Sequence, residues 1–380
     1  MSGWITKKLG EVCEEIRERI SSAEIPLAAY ITTDNMLKNC AGVCEAENLP
    51  PKICSLVAYQ SGDILLSNIR PYLKKIWLAD RSGGASSDVI VLRPRFENIL
   101  ARYIYRALAR DEFFDFSMLN VTGTKMPRGK RDWIKSFEIP IPPLAEQKRI
   151  VAKIDAAFEK IDRLKANAEK NLANAKELFQ SALDEAMCPK KGWAEKRLGE
   201  IGPVCMCKRI LKAQTSSEGE VPFYKIGTFG KTANAFISRD VYDRYRALYK
   251  FPRKGEVLIS AAGTIGRAVV YDGAPAYFQD SNIVWVANDE QSVLNIYLKW
   301  FYATSPWHVT KGATIQRLYN ENIESARIAY PPIPIQRQVC GTLDVLATKL
   351  EALQQNYAQQ IADCAEMRQA ILREAFEGRM

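Results

Sequence analysis

Lys125, Arg128, Lys130 and Arg131 fall within ten residues, Thr122–Arg131 (TGTKMPRGKR), that contain no acidic side chain. Four cations beside Thr122, Thr124 and two glycines describe a loop. Such a loop can hold phosphate through lysine and backbone N–H groups and present arginine forks to guanine edges. A second stretch, Lys311–Arg317 (KGATIQR), offers Lys311, Thr314, Gln316 and Arg317. Glutamine there adds a side chain able to pair bidentately with adenine. Arg70, Tyr72, Lys74 and Lys75 in RPYLKK form another candidate group, as do Thr264, Arg267, Gln279 and Asn282. Arg102, Arg106 and Arg110 recur every fourth residue and share one helix face. That stripe serves equally well as a solvated surface.

Bond-making chemistry is harder to find. The sequence has no G-x-x-x-x-G-K-[ST] phosphate loop and no G-x-G-x-x-G; Gly263–Gly266 (GTIG) reads as a turn. It has no N-P-P-[FY] tetrapeptide, and Pro142–Pro143 and Pro331–Pro332 stand before helices instead. There is no G-x-S-x-G elbow or H-E-x-x-H helix. His308 is the single histidine. Asp63 and Asp88 at strand starts could hold Mg²⁺ for a nuclease, but acids beside turns are ordinary turn chemistry. The cysteine pairs Cys40/Cys44 and Cys205/Cys207 lack zinc-finger spacing and read as free thiols.

The elements that must carry the basic loops occur twice. Trp4–Gly10 (WITKKLG) returns as Trp193–Gly199 (WAEKRLG), and Ile141–Ile150 (IPPLAEQKRI) returns as Tyr330–Val339 (YPPIPIQRQV). In the first half, Asp63–Ser67 and Asp88–Leu92 read as strands and Ile99–Leu119 as a helix. In the second, Glu256–Ser260 and Asn282–Ala287 match the strands and Val293–Tyr302 the helix. After each proline pair comes a long helix. Val151, Ile154, Phe158, Ile161, Lys165, Ala168, Leu172, Ala175, Phe179, Ala182 and Ala186 form one heptad seam. Leu343, Leu346, Leu350, Leu353, Tyr357, Gln360, Cys364, Met367 and Ile371 form the other.

A rod of this kind is roughly 65 Å long at 1.5 Å per residue. Neither rod can bury its seam alone, so the simplest expectation is an antiparallel pair with pseudo-two-fold symmetry. The alternatives are packing of each helix on its own domain, or homodimerisation. The expected fold class is α+β: two globular mixed domains, 1–143 and 189–333, joined by coiled-coil helices, 144–188 and 334–380. A duplicated molecule of this shape suits a long, nearly two-fold ligand, and duplex DNA leads. Half-sites one helical turn apart lie ~35 Å from each other.

Composition is compatible with that reading. The 380 residues are 47% hydrophobic, enough for real cores, and the formal charge is +9. A basic balance permits a polyanion without proving one. No apolar run reaches the ~20 residues of a membrane span. The start lacks the apolar stretch of a secretory signal, so a cytoplasmic location is expected.

The repeated motifs W-x-x-K-x-L-G-E (Trp4–Glu11, Trp193–Glu200) and G-[DE]-[IV]-L-[LI]-S (Gly62–Ser67, Gly255–Ser260) resemble those of the specificity subunits of type I restriction–modification systems. The run Ile139–Asp155 (IPIPPLAEQKRIVAKID) and the ending Ile371–Met380 (ILREAFEGRM) share the resemblance, which covers the whole chain. One departure is Ile335, which stands where Glu146 stands in the first copy. The resemblance implies a non-catalytic subunit with two target recognition domains, each reading half of a split double-stranded DNA site. The helices would set the gap and dock two methyltransferase (M) subunits, with restriction (R) subunits joining. S-adenosylmethionine, ATP and Mg²⁺ would belong to those partners, and this chain would hold no cofactor. The competing readings are a stand-alone metal-dependent nuclease or methyltransferase remnant, and a coiled-coil adaptor that binds only proteins.

Overall fold

The structure, a computed structural model, describes residues 4–305, 307 and 317–379. The chain divides into two compact units: Met1–Lys170 with Tyr357–Met380, and Asn171–Asn356. Each of the two long helices, Leu144–Met187 and Ile333–Phe376, contributes to both units. Each has 44 residues, or about 66 Å of rod.

Each unit is built on a four-stranded antiparallel sheet of the same order. In the first, Cys13–Glu15 is followed across the sheet by Val89–Pro94, Ile64–Ser67 and Ile76–Leu78. In the second, the order is Val204–Met206, Ile283–Val286, Val257–Ser260 and Ala268–Val270. The central strands Ile64–Ser67 and Val257–Ser260 are buried throughout, as their unbroken apolar runs require. The second sheets differ. The first unit has four strands (Arg19–Ser21, Ser55–Tyr59, Gly83–Ala85, Tyr30–Ile31), the second only three (Phe236–Ile237, Val221–Tyr224, Tyr277–Phe278). The second unit also carries the helix Arg239–Leu248.

The expected helix Ile99–Leu119 is two helices, Ala101–Leu108 and Asp111–Met118. Arg110 takes an extended backbone between them, and its guanidinium is buried, donating to the Ala107 carbonyl and pairing with Glu112. A hydrogen-bonding side chain turned inward thus replaces a turn of helix. The remaining arginines of that stripe are not a free surface. Arg106 and Arg102 pair with Asp155 of the first long helix at 2.6 and 3.2 Å.

The long helices run antiparallel within each unit. In the first, Ile150, Ile154, Phe158 and Ile161 share a core with Cys364, Leu372 and Phe376. There Arg368 stacks 4.4 Å from the Phe158 ring and pairs with Asp162. In the second unit, Leu183 and Met187 share a core with Cys340 and Leu343. The seam departs from strict heptads. Leu183 and Met187 are buried, one position beyond the expected Ala182 and Ala186, and Leu353 and Met367 are exposed. A straight helix at 3.6 residues per turn drifts ~20° per heptad from a 3.5 repeat, which moves the buried stripe to the neighbouring side chain.

Candidate nucleic-acid interface

The repeated tryptophan motif opens a strand that closes each unit. Ile5–Lys8 pairs antiparallel with Glu138–Ile141, and Ala194–Arg197 with Arg327–Tyr330. The glycine in the motif is there for close approach: a Cβ at Gly10 or Gly199 would lie 3.2 Å from the Cβ of Lys135 or Glu324. The repeated glutamate of each motif folds back on its own turn. Glu11 accepts from the Lys8 N–H and Glu200 from the Arg197 N–H.

These closed units present the basic segments. Thr122–Arg131 is a hairpin rather than a loop, with Val121–Thr122 paired to Arg128–Gly129. Its tip, Thr122 to Met126, is exposed and turns at Gly123, whose φ is +84°. A left-handed glycine lets the chain reverse within so few residues. Thr122, Thr124, Lys125, Arg128 and Lys130 are exposed together on this hairpin. Arg131 is held back, donating to Glu15 and, at 2.8 Å, to the Ser87 carbonyl. Arg70 joins the hairpin, since its N–H donates to the Pro127 carbonyl at 2.7 Å and Ile69 bridges to Arg128. Lys74 pairs with Asp111 at 2.6 Å, and Lys75 donates to the Thr33 carbonyl. Partial burial lowers the Lys75 ammonium below its ordinary pKa. Those two lysines are therefore committed to intramolecular partners. Asp63 is buried and gripped by both nitrogens of the Arg93 fork, at 2.7 and 2.8 Å.

In the second unit, Arg317 donates to the Ser281 carbonyl at 2.8 Å, and Arg267 to the Phe229 carbonyl at 2.9 Å. Thr264 is exposed and its carbonyl accepts from Ser260. Lys311, Thr314, Gln316 and His308 lie outside the described residues. Beside Arg317 opens a cleft of about 350 Å³ whose lining includes Arg209, Lys212, Lys225, Gln279 and Asn282. Arg209 pairs with Asp280 at 2.8 Å, leaving a surplus of positive charge around the cleft. Gln279 accepts from the Ile226 N–H, so its side chain orders the cleft wall. Among the described residues no group of three His, Cys, Asp or Glu side chains gathers as a metal site. The nine cysteines are free, and burial pushes Cys40 and Cys207 up to about 12.

Against known families, residues 1–173 and 190–361 each match the type I restriction modification DNA specificity domain. The chain belongs to this family. It is 40% identical over 256 residues to a type I restriction enzyme specificity subunit of Haemophilus influenzae, an alignment covering 66% of each chain. It is 23% identical over 349 residues to the MjaIX specificity subunit of Methanocaldococcus jannaschii, covering 84% of this chain and 78% of that one. Its fold matches the HsdS subunit of Thermoanaerobacter tengcongensis at a TM-score of 0.58 and 23% identity, over 100% of this chain and 98% of that one. A chain from a structure of the assembly and conformational transition of a type I restriction–modification system matches at 0.82 and 23% identity, over 100% and 99%. The role of the family is DNA recognition, not catalysis.

Two kinds of residue important to this specificity-family chain escaped the sequence reading. Arg209, Lys212 and Lys225 line the second unit's cleft, and the cluster Lys208–Arg209 with Lys212 was the available signal. Gln147 and Gln336 occupy the same place in the two proline motifs. Gln147 accepts from the Leu100 N–H at 2.9 Å and donates to the Asn98 and Pro142 carbonyls at 3.0 and 2.9 Å. Gln336 accepts from the Leu294 N–H and donates to the Ser292 and Pro331 carbonyls, each at 2.8 Å. Their exposures are 1% and 0%. Each pins the start of a long helix to its recognition domain. The signal was a glutamine retained in both copies, where the neighbouring acid was not.

Proposed function

We propose that each unit reads one half of a bipartite duplex DNA site on behalf of a type I restriction–modification enzyme. The first unit does so through the Thr122–Lys130 hairpin with Arg70, and the second through the cleft beside Arg317. The observation that carries this reading is one sheet-and-bridge frame built twice, with unlike polar and basic side chains on it. Ile69 bridges to Arg128 in one unit and Ala262 to Arg317 in the other. A repeated frame with different exposed groups suits two half-sites of different sequence. Lysine and arginine contacts to phosphate supply affinity that falls with salt, and contacts to base edges supply choice.

The long helices set the gap between half-sites and dock two methyltransferase (M) subunits, with restriction (R) subunits joining the complete enzyme. S-adenosylmethionine, ATP and Mg²⁺ act in those partners, and the complex works in the cytoplasm. No helix among the described residues is long and apolar enough to cross a membrane. The decisive experiment replaces residues 1–143 with those of another family member and maps methylated bases made by the assembled enzyme. One half-site changes and the other does not; a change in both halves rejects the reading.

A further inference from the structure

The two frames can be superposed residue by residue from their hydrogen bonds. Ser67 pairs with Val89 in the first sheet and Ser260 with Ile283 in the second. The residues just before, Asp88 and Asn282, therefore occupy one position. Their carbonyls accept from the N–H groups of Asn68 and Ala261, each at 2.8 Å. The carbonyls of Asn68 and Ala261 in turn accept from Gly129 and Leu318, at 3.1 and 2.8 Å. Beside them stand the bridged arginines, Arg128 and Arg317. These backbone hydrogen bonds are thus shared by the two units, although the chain enters them differently (Ser281 is left-handed and Ser87 is not), while the side chain is a carboxylate in one and a carboxamide in the other.

Both side chains are available to a ligand. The Asp88 carboxylate meets Arg128 only at 3.3 Å, with side-chain exposures of 39% and 49%. The Asn282 carboxamide has no hydrogen-bond partner among the described residues and faces the basic cleft. Ser281, directly before it, holds a left-handed backbone with φ +60°. A non-glycine residue in that region is uncommon.

We infer that Asp88 and Asn282 are specificity-determining residues, each reading one base edge in the major groove of its own half-site. The inference rests on the reading of the two units as half-site readers. A carboxylate only accepts, so Asp88 selects the N4 amine of cytosine, with Arg128 placed for the O6 and N7 of a neighbouring guanine. A carboxamide both donates and accepts, so Asn282 selects adenine through N6 and N7.

The test uses the assembled methyltransferase–specificity complex. Its recognition motif is determined by selection from randomised duplexes, for the wild type and for Asp88→Asn, Asn282→Asp, Asp88→Ala and Asn282→Ala. Each exchange is expected to move one position of one half-site, from cytosine to adenine for Asp88→Asn and the reverse for Asn282→Asp. Discrimination at that position changes by about tenfold or more, and the other half-site is unchanged. The alanine variants, which create no new contact, lose discrimination at the same single position. Unchanged motifs in all four variants overturn the inference and leave half-site reading intact. So does a uniform loss of affinity with no change of preference, which marks a positioning role. A wild-type complex that selects no bipartite motif refutes the underlying reading itself.

Discussion

Replacing Gln147 or Gln336 with leucine tests the attachment of the recognition domains most sharply. Leucine has nearly the volume of glutamine, so the substitution deletes polar contacts without opening a large cavity. In each unit three hydrogen bonds disappear, all at a site that water does not reach. A typical bond contributes about 1 kcal/mol net, and a buried donor left unpaired costs about 1–3 kcal/mol. The orphaned carbonyls retain a second lone pair, so the N–H of Leu100 or Leu294 carries most of the penalty. The expected loss is about 3 kcal/mol in the unit concerned, or roughly 6–12 °C for a body of this size. Because the two sites make the same bonds, the two substitutions should agree within about 1 kcal/mol. Urea unfolding gives the energy, and hydrogen exchange gives the place: the Leu100 amide speeds up in Gln147→Leu and the Leu294 amide in Gln336→Leu. A loss below about 1 kcal/mol, or amides whose protection is unaltered, refutes the claim that these side chains pin the helices.

Two further outcomes follow from the buried acids at equivalent strand starts. Arg93→Met strands the Asp63 carboxylate, whose side chain is 1% exposed, and should destabilise the first unit by about 3 kcal/mol; a loss of unfolding free energy in urea below about 1 kcal/mol denies the pair its structural role. Glu256 has Ala287 where Asp63 has Arg93, and burial raises its pKa above the usual 4.5. A raised folded-state pKa means stability that is full below the unfolded value and lost as pH rises through the folded one. Relative to Glu256→Gln, the wild-type second unit should therefore lose stability as pH climbs upward from about 4.5. Parallel pH profiles for the two proteins would show that Glu256 is not the group responsible.

Much of this architecture was legible in the sequence because it rests on local rules. Continuous apolar runs after a glycine gave the central strands, and the absence of proline and glycine between Ala145 and Met187 gave the first rod. The break at Arg110 was hidden because an arginine on a regular helical stripe looks solvated until its burial is known. Lys74 and Lys75 looked free for a similar reason: their partners, Asp111 and the Thr33 carbonyl, are distant in sequence. The seam was placed one residue out near Met187 because a heptad template ignores helical drift. Gln147 was invisible as a polar residue in a helix of mostly exposed polar residues.

The bonds that repeat and those that do not bear directly on the proposed exchange of a recognition domain. Gln147 and Gln336 hold only main-chain groups of the domains, and Tyr103 and Tyr297 likewise donate to main-chain carbonyls, those of Pro140 and Ala329. The Leu9 and Leu198 N–H groups close each unit on the carbonyls of Phe137 and Ala326. These backbone bonds tolerate changes of side chain on the attached body, whereas the core that Ile150, Ile154 and Phe158 share with Tyr103 and Ile104, and the pairs of Arg102 and Arg106 with Asp155, must be kept. The second sheets are then free to diverge, since among the described residues their core clusters contain no side chain of the long helices. Selection for new DNA sequences can act on those faces without weakening the joint. A domain transplanted at residue 143 that keeps those side chains should consequently dock on the first long helix with the stability of the original, and Gln147→Leu should weaken the transplanted and native domains by the same amount. Unequal losses would mean that side chains, rather than backbone, carry the joint.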